Sequence, residues 1–74
     1  MRNLVSEARQ ERRWSQQRLA EELGVSRQTV ISIEKGRFDP SLPLAFRLSA
    51  VFERPLEELF FPEPAPEGVE APGA

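Results

Sequence analysis

Three small residues, Ser15, Gly24 and Ser26, constrain the fold of this 74-residue chain more than any other feature. They punctuate residues 15–36, which read SQQRLAEELGVSRQTVISIEKG. A serine hydroxyl accepts a hydrogen bond from the free amides of a helix's first turn, so Ser15 and Ser26 each mark a helix start. Gly24 follows the apolar Leu23 and can take the left-handed conformation that ends a helix. The segment therefore predicts one helix over residues 16–23 and another from residue 27 to about Lys35–Gly36, hinged at the glycine. Leu19, Ala20 and Leu23 face inward on the first helix, Val25 packs at the hinge, and Val30 and Ile33 face inward on the second. The polar side of the second helix carries Arg27, Gln28, Thr29 and Ser32. Arg and Gln side chains can make paired hydrogen bonds to the edges of guanine and adenine in the major groove. Two helices in this arrangement are a geometry for reading double-stranded DNA.

The rest of the chain predicts a small helical bundle around that pair. Leu4, Val5, Ala8 and Arg12 recur at helical spacing, which places a first helix from Asn3 to about Arg12. Residues 36–41, GRFDPS, form a turn, because Asp39 precedes Pro40 and is driven away from helical geometry. Ser41 caps a fourth helix, with Pro43 in its first turn, where no amide hydrogen is needed. Its expected inward stripe is Leu42, Ala45, Leu48, Ser49 and Phe52. Pro55 opens a short fifth helix with Leu56, Leu59 and Phe60. Residues 62–74, PEPAPEGVEAPGA, hold Pro, Gly, Ala and Glu without apolar periodicity and are expected to be a disordered tail. The expected organisation is an all-α domain over residues 1–61 followed by that tail.

Composition narrows the function classes. The chain has no Cys and no His, which removes disulfides, thiolate and imidazole metal ligands and the commonest general base. No catalytic residue, metal site, cofactor or small-molecule ligand is expected. No apolar run approaches the ~20 residues of a membrane span, and the N-terminus lacks a signal-peptide core, so a cytoplasmic protein is expected. The net charge of −2 looks unfavourable for a nucleic-acid partner, but it is unevenly distributed. Residues 1–54 hold all ten basic side chains against seven acidic ones, a balance of +3. Residues 55–74 hold five acidic side chains and no basic one. The helical part is mildly basic and the tail acidic.

Helix 1 with Arg9, the run WSQQRLAEELGVSRQTVISIEKGRFDPSLPLAFRLSAVF and the following PLEELF resemble the XRE-type helix–turn–helix family, which includes Cro and the phage repressors. The resemblance covers about residues 3–61. It rests on coupled positions: Ser–Gln before helix 2, LA..LGVS at the hinge and IEKG closing helix 3. It implies a five-helix, lambda-repressor-like DNA-binding domain in a minimal, single-domain transcription regulator. Residue by residue, it implies base contacts from Arg27, Gln28 and Ser32, with Ile31 placed to touch a thymine methyl; Thr29, on the same polar side, is expected to join them. It implies phosphate contacts from Gln16, Ser26, Lys35 and Arg37. Arg9 and Glu34 match a structural ion pair that ties helix 1 to the end of helix 3. Two positions depart from the family pattern. Arg13 stands where the family often has Gly, which implies a differently shaped connection. Trp14 replaces a frequent Leu, covering more core or standing partly exposed.

Members of this family usually bind pseudo-palindromic operators as homodimers, which implies a pairing surface. Phe46 and Phe61 fall off the inward stripes, and exposed aromatic side chains often mark an interface. Phe60 is expected in the core, and with Phe46 and Phe61 it is assigned to a dimer contact built by helices 4 and 5. The expected function is a sequence-specific DNA-binding regulator, acting as a repressor. The alternative on the same fold is the antitoxin of a toxin–antitoxin pair, with a toxin as protein partner. An enzyme is poorly supported, since the carboxylates are scattered over helix surfaces with no His, Cys or phosphate loop to join them.

Overall fold

The computed structural model describes residues 2–61. The tail expected over residues 62–74 lies outside the described residues. Five helices run in chain order as α1 (Val5–Glu11), α2 (Gln16–Leu23), α3 (Arg27–Glu34), α4 (Leu42–Phe52) and α5 (Leu56–Leu59). Two short strands, β1 (Arg2–Asn3) and β2 (Phe60–Phe61), flank them.

The serine caps act where the sequence puts them. Ser15, Ser26 and Ser41 accept from the amides of Arg18, Thr29 and Leu44, opening α2, α3 and α4. The helix ends follow one pattern. After α1, α2, α3 and α4 the chain enters the left-handed region at Arg13, Gly24, Gly36 and Glu53. In each case the next amide reaches back five residues: Trp14 to Arg9, Val25 to Ala20, Arg37 to Ser32 and Arg54 to Ser49. These are paired C-terminal bonds of the Schellman type, which satisfy carbonyls that a helix end leaves open.

At Gly24 a Cβ would meet no atom within 4 Å. Glycine is favoured there by its φ of 74° alone. Arg13, at φ 59°, shows that the connection after α1 keeps the left-handed shape without glycine, contrary to the expectation of a different turn. A side chain at such an angle crowds its own carbonyl at a cost of about 1 kcal/mol. Cross-links join the two strained ends: Arg12 pairs with Glu53 at 3.7 Å and Arg54 with Glu11 at 2.6 Å.

The core draws on every helix: Val5 and Ala8 from α1, Leu19, Ala20 and Leu23 from α2, Val30 and Ile33 from α3, Leu44, Leu48 and Phe52 from α4, and Leu59 from α5. Phe60 from β2 completes it. Trp14 packs against this cluster half-buried, its ring 6.2 Å from that of Phe52. The Arg12 and Arg18 guanidiniums lie 5.3 and 4.8 Å from the Trp14 ring centre. The indole thus covers core and also carries two cations on its surface.

Two expectations are corrected. Helix α1 begins at Val5, because Arg2 and Asn3 are extended and pair antiparallel with Phe61 and Phe60. The Leu4 amide continues this contact to the Leu59 carbonyl at 2.8 Å, so the all-α core carries a two-stranded clasp. On α4, Leu44 is buried and Leu42 is 63% exposed, so the inward stripe is Leu44, Leu48 and Phe52. Leu42 is the first helical residue and projects past the core, while Leu44, Leu48 and Phe52 repeat every fourth residue on one face. Phe60 is 9% exposed and lies in the core, as expected.

Candidate DNA interface

The hinge determines what α3 can present. Val30 and Ile33 anchor one side of the helix in the core, which turns the opposite side outward. Arg27 and Gln28, the first two helical residues after the Ser26 cap, are exposed. Thr29, Ile31 and Ser32 are half-buried. The Thr29 hydroxyl lies 3.0 Å from that of Ser26, so both hydroxyls join in capping the helix. The Ser32 carbonyl accepts from the Arg37 and Phe38 amides, which folds the following turn back against α3. Lys35 and Arg37 stand exposed on either side of Gly36.

A hydrogen-bonded series runs beneath this face. Arg9 Nε donates to Glu34 Oε2 at 2.7 Å and its Nη2 to Glu34 Oε1 at 3.3 Å, forming a forked ion pair between α1 and α3. Both side chains are largely buried, with 13% and 7% of their surfaces exposed. The third guanidinium nitrogen, Arg9 Nη1, donates to the Trp14 carbonyl at 2.7 Å. Gln16, at the start of α2, donates from Nε2 to Glu34 Oε1 at 3.2 Å and accepts from Arg27 Nη2 at 3.3 Å. Charged hydrogen bonds of this kind fix geometry as well as adding energy.

Sequence reasoning missed two side chains that hold α2 and α3 in place. Asn3 Nδ2 donates to the Ile33 carbonyl at 2.8 Å, tying β1 to the last turn of α3. Arg47 Nη1 donates to the Leu23 carbonyl at 3.3 Å, tying α4 to the end of α2 beside the hinge. Their partners lie 30 and 24 residues away, beyond any local pattern.

Other exposed side chains are apolar. Phe38, Leu42, Phe46 and Phe61 are 45%, 63%, 57% and 38% exposed. Near them a cavity of about 150 Å³ is lined by Asp39, Pro40, Ala45, Leu56 and Phe60. No helix among the described residues is long and apolar enough to cross a membrane.

A capped second helix, hinged on a glycine and exposing Arg and Gln at its start, defines the class: a helix–turn–helix domain. A family model described as helix-turn-helix matches residues 5–59. The chain is 46% identical over 63 residues to an uncharacterized HTH-type transcriptional regulator of Methanocaldococcus jannaschii, covering 85% of this chain and 96% of that protein. It is 48% identical over 61 residues to an uncharacterized HTH-type transcriptional regulator of Methanothermobacter thermautotrophicus, covering 81% and 88%. To the uncharacterized HTH-type transcriptional regulator YgzD of Bacillus subtilis it is 44% identical over 63 residues, covering 85% and 96%. The chain belongs to the XRE-type helix–turn–helix family of DNA-binding transcriptional regulators, which are not enzymes.

Proposed function

We propose that this protein is a cytoplasmic repressor that binds a pseudo-palindromic operator as a homodimer, with α3 in the major groove. The observation that carries the proposal is the exposure of Arg27 and Gln28 on the first turn of α3. Residues at the start of a recognition helix are those that meet base edges. Arg27 then reads guanine and Gln28 adenine, each by paired hydrogen bonds. Thr29, Ile31 and Ser32 border that contact and supply shorter-range hydroxyl and methyl contacts. Gln16, Ser26, Lys35 and Arg37 flank α3 and bind phosphates, which sets register without reading sequence. Two such helices, one from each copy, reach successive major grooves about 34 Å apart. Phe46 and Phe61 form the contact between copies, with Phe60 behind them in the core.

Selection from a random DNA library with the full-length protein tests this. Enriched sequences with two related half-sites, bound less tightly as salt rises, are the expected result. A library that shows no enrichment and no salt-dependent shift would contradict DNA reading. Sedimentation distinguishes the partner: a second copy gives a dimer on the operator. A monomer at tens of micromolar, both free and operator-bound, would remove the homodimer and turn attention to a different protein, such as a toxin, on the apolar surface.

A further inference from the structure

We propose that Glu34 positions Arg27 through Gln16, which makes Glu34 a determinant of base preference as well as half of an ion pair. This rests on the reading that Arg27 contacts a base. A carboxylate can only accept hydrogen bonds, and a guanidinium can only donate them. Gln16 lies between one of each, with Nε2 on Glu34 Oε1 at 3.2 Å and Oε1 on Arg27 Nη2 at 3.3 Å. Turning its amide over would set oxygen against oxygen and nitrogen against nitrogen, losing both contacts. The two neighbours therefore impose a single orientation on Gln16.

They do not contribute equally. Arg27 is exposed at the helix start, whereas the Glu34 side chain is 7% exposed and held at both carboxylate oxygens by Arg9. Arg9 is itself anchored on the Trp14 carbonyl, two residues before Gln16. Glu34 is thus the buried, doubly bonded end of the series and Arg27 the exposed end. Gln16, oriented from below, offers the arginine an acceptor before DNA arrives. Restricting a long side chain in advance lowers the ordering cost of binding. Replacing the carboxylate by an amide of the same shape removes this control, because an amide can meet Gln16 in either orientation.

A double-mutant cycle on the full-length protein tests the proposal, using an operator recovered from random DNA as the probe. Glu34→Gln is expected to weaken operator binding about fivefold, the size of one net hydrogen bond. In an Arg27→Ala background it is expected to leave binding unchanged. Equal losses in both backgrounds would overturn the proposal, since an effect through folding alone ignores Arg27. If Glu34→Gln does not remain folded, Gln16→Met carries the cycle with the Arg9–Glu34 pair intact. Its lost phosphate contact counts equally in both backgrounds, and only the difference between them tests the route. Non-additivity there supports the route, and additivity overturns it. A third result is separately recognisable: Arg27→Ala binding every operator as the unsubstituted protein does. That would remove base reading by Arg27, and the proposal with it.

Discussion

Helices α3 and α4 are built alike and face outward differently. Each is capped by a serine, each ends at a left-handed residue, and each lies on the same core. Yet α3 turns Arg27 and Gln28 to solvent, while α4 turns Leu42 and Phe46. Hydrogen-bonding groups at a helix start match base edges, which are themselves polar. Large apolar side chains gain free energy only when another surface excludes water from them. The shared scaffold thus carries two kinds of exposed surface, one polar and one apolar.

Substitutions can break or sharpen that contrast. The largest effect is expected at the ion pair beneath α3. Arg9→Met strands the nearly buried Glu34 carboxylate and should lower stability by about 3 kcal/mol, read as a large fall in thermal midpoint. An unchanged midpoint would show that the ion pair does not hold α1 to α3. Phe46→Ser should weaken pairing between copies by about 2 to 3 kcal/mol in sedimentation, leaving half-site base preference as it was. Loss of base preference instead would merge the two faces. Arg27→Ala should do the reverse, costing about 2 kcal/mol of discrimination at one base pair in each half-site without changing self-association. Arg13→Gly touches neither face and should raise stability by about 1 kcal/mol by relieving the left-handed arginine. Lower stability would mean that the Arg13 side chain contributes more than its backbone costs. The smallest change is expected from Lys35→Ala, which should weaken all DNA sequences alike and reduce the logarithmic salt slope by about 0.9.

The two faces also differ in how far the sequence reveals them. Around α2 and α3 the signals are local: a serine cap acts three residues ahead, and Gly24 directly follows the last apolar residue of α2. Boundaries, caps and inward residues could all be read there. On α4 the text LPLAFRLSAVF is apolar almost throughout, so periodicity did not fix which face turns inward, and Leu42 took the place of Leu44. The β1–β2 clasp joins two residues near the start of the chain to two near residue 60, a pairing too short to leave an alternating pattern. Arg13 and Glu53 take left-handed angles that propensity assigns to glycine, held by the paired bonds that close α1 and α4. For the candidate site, residue types and spacing placed Arg27 and Gln28 on the outward side of α3, where the fold exposes them. The series from Arg9 through Glu34 and Gln16 to Arg27 spans separations of 25, 18 and 11 residues, and only the fold assembles it.

The central claim is that the first turn of α3 reads bases. Operator selection from random DNA, repeated with Arg27→Ala and with Gln28→Ala, tests it most directly. Each substitution is expected to erase preference at one position per half-site, a different position for each, and to leave the remaining pattern intact. Selected sequences identical to those of the unsubstituted protein in both cases would contradict it.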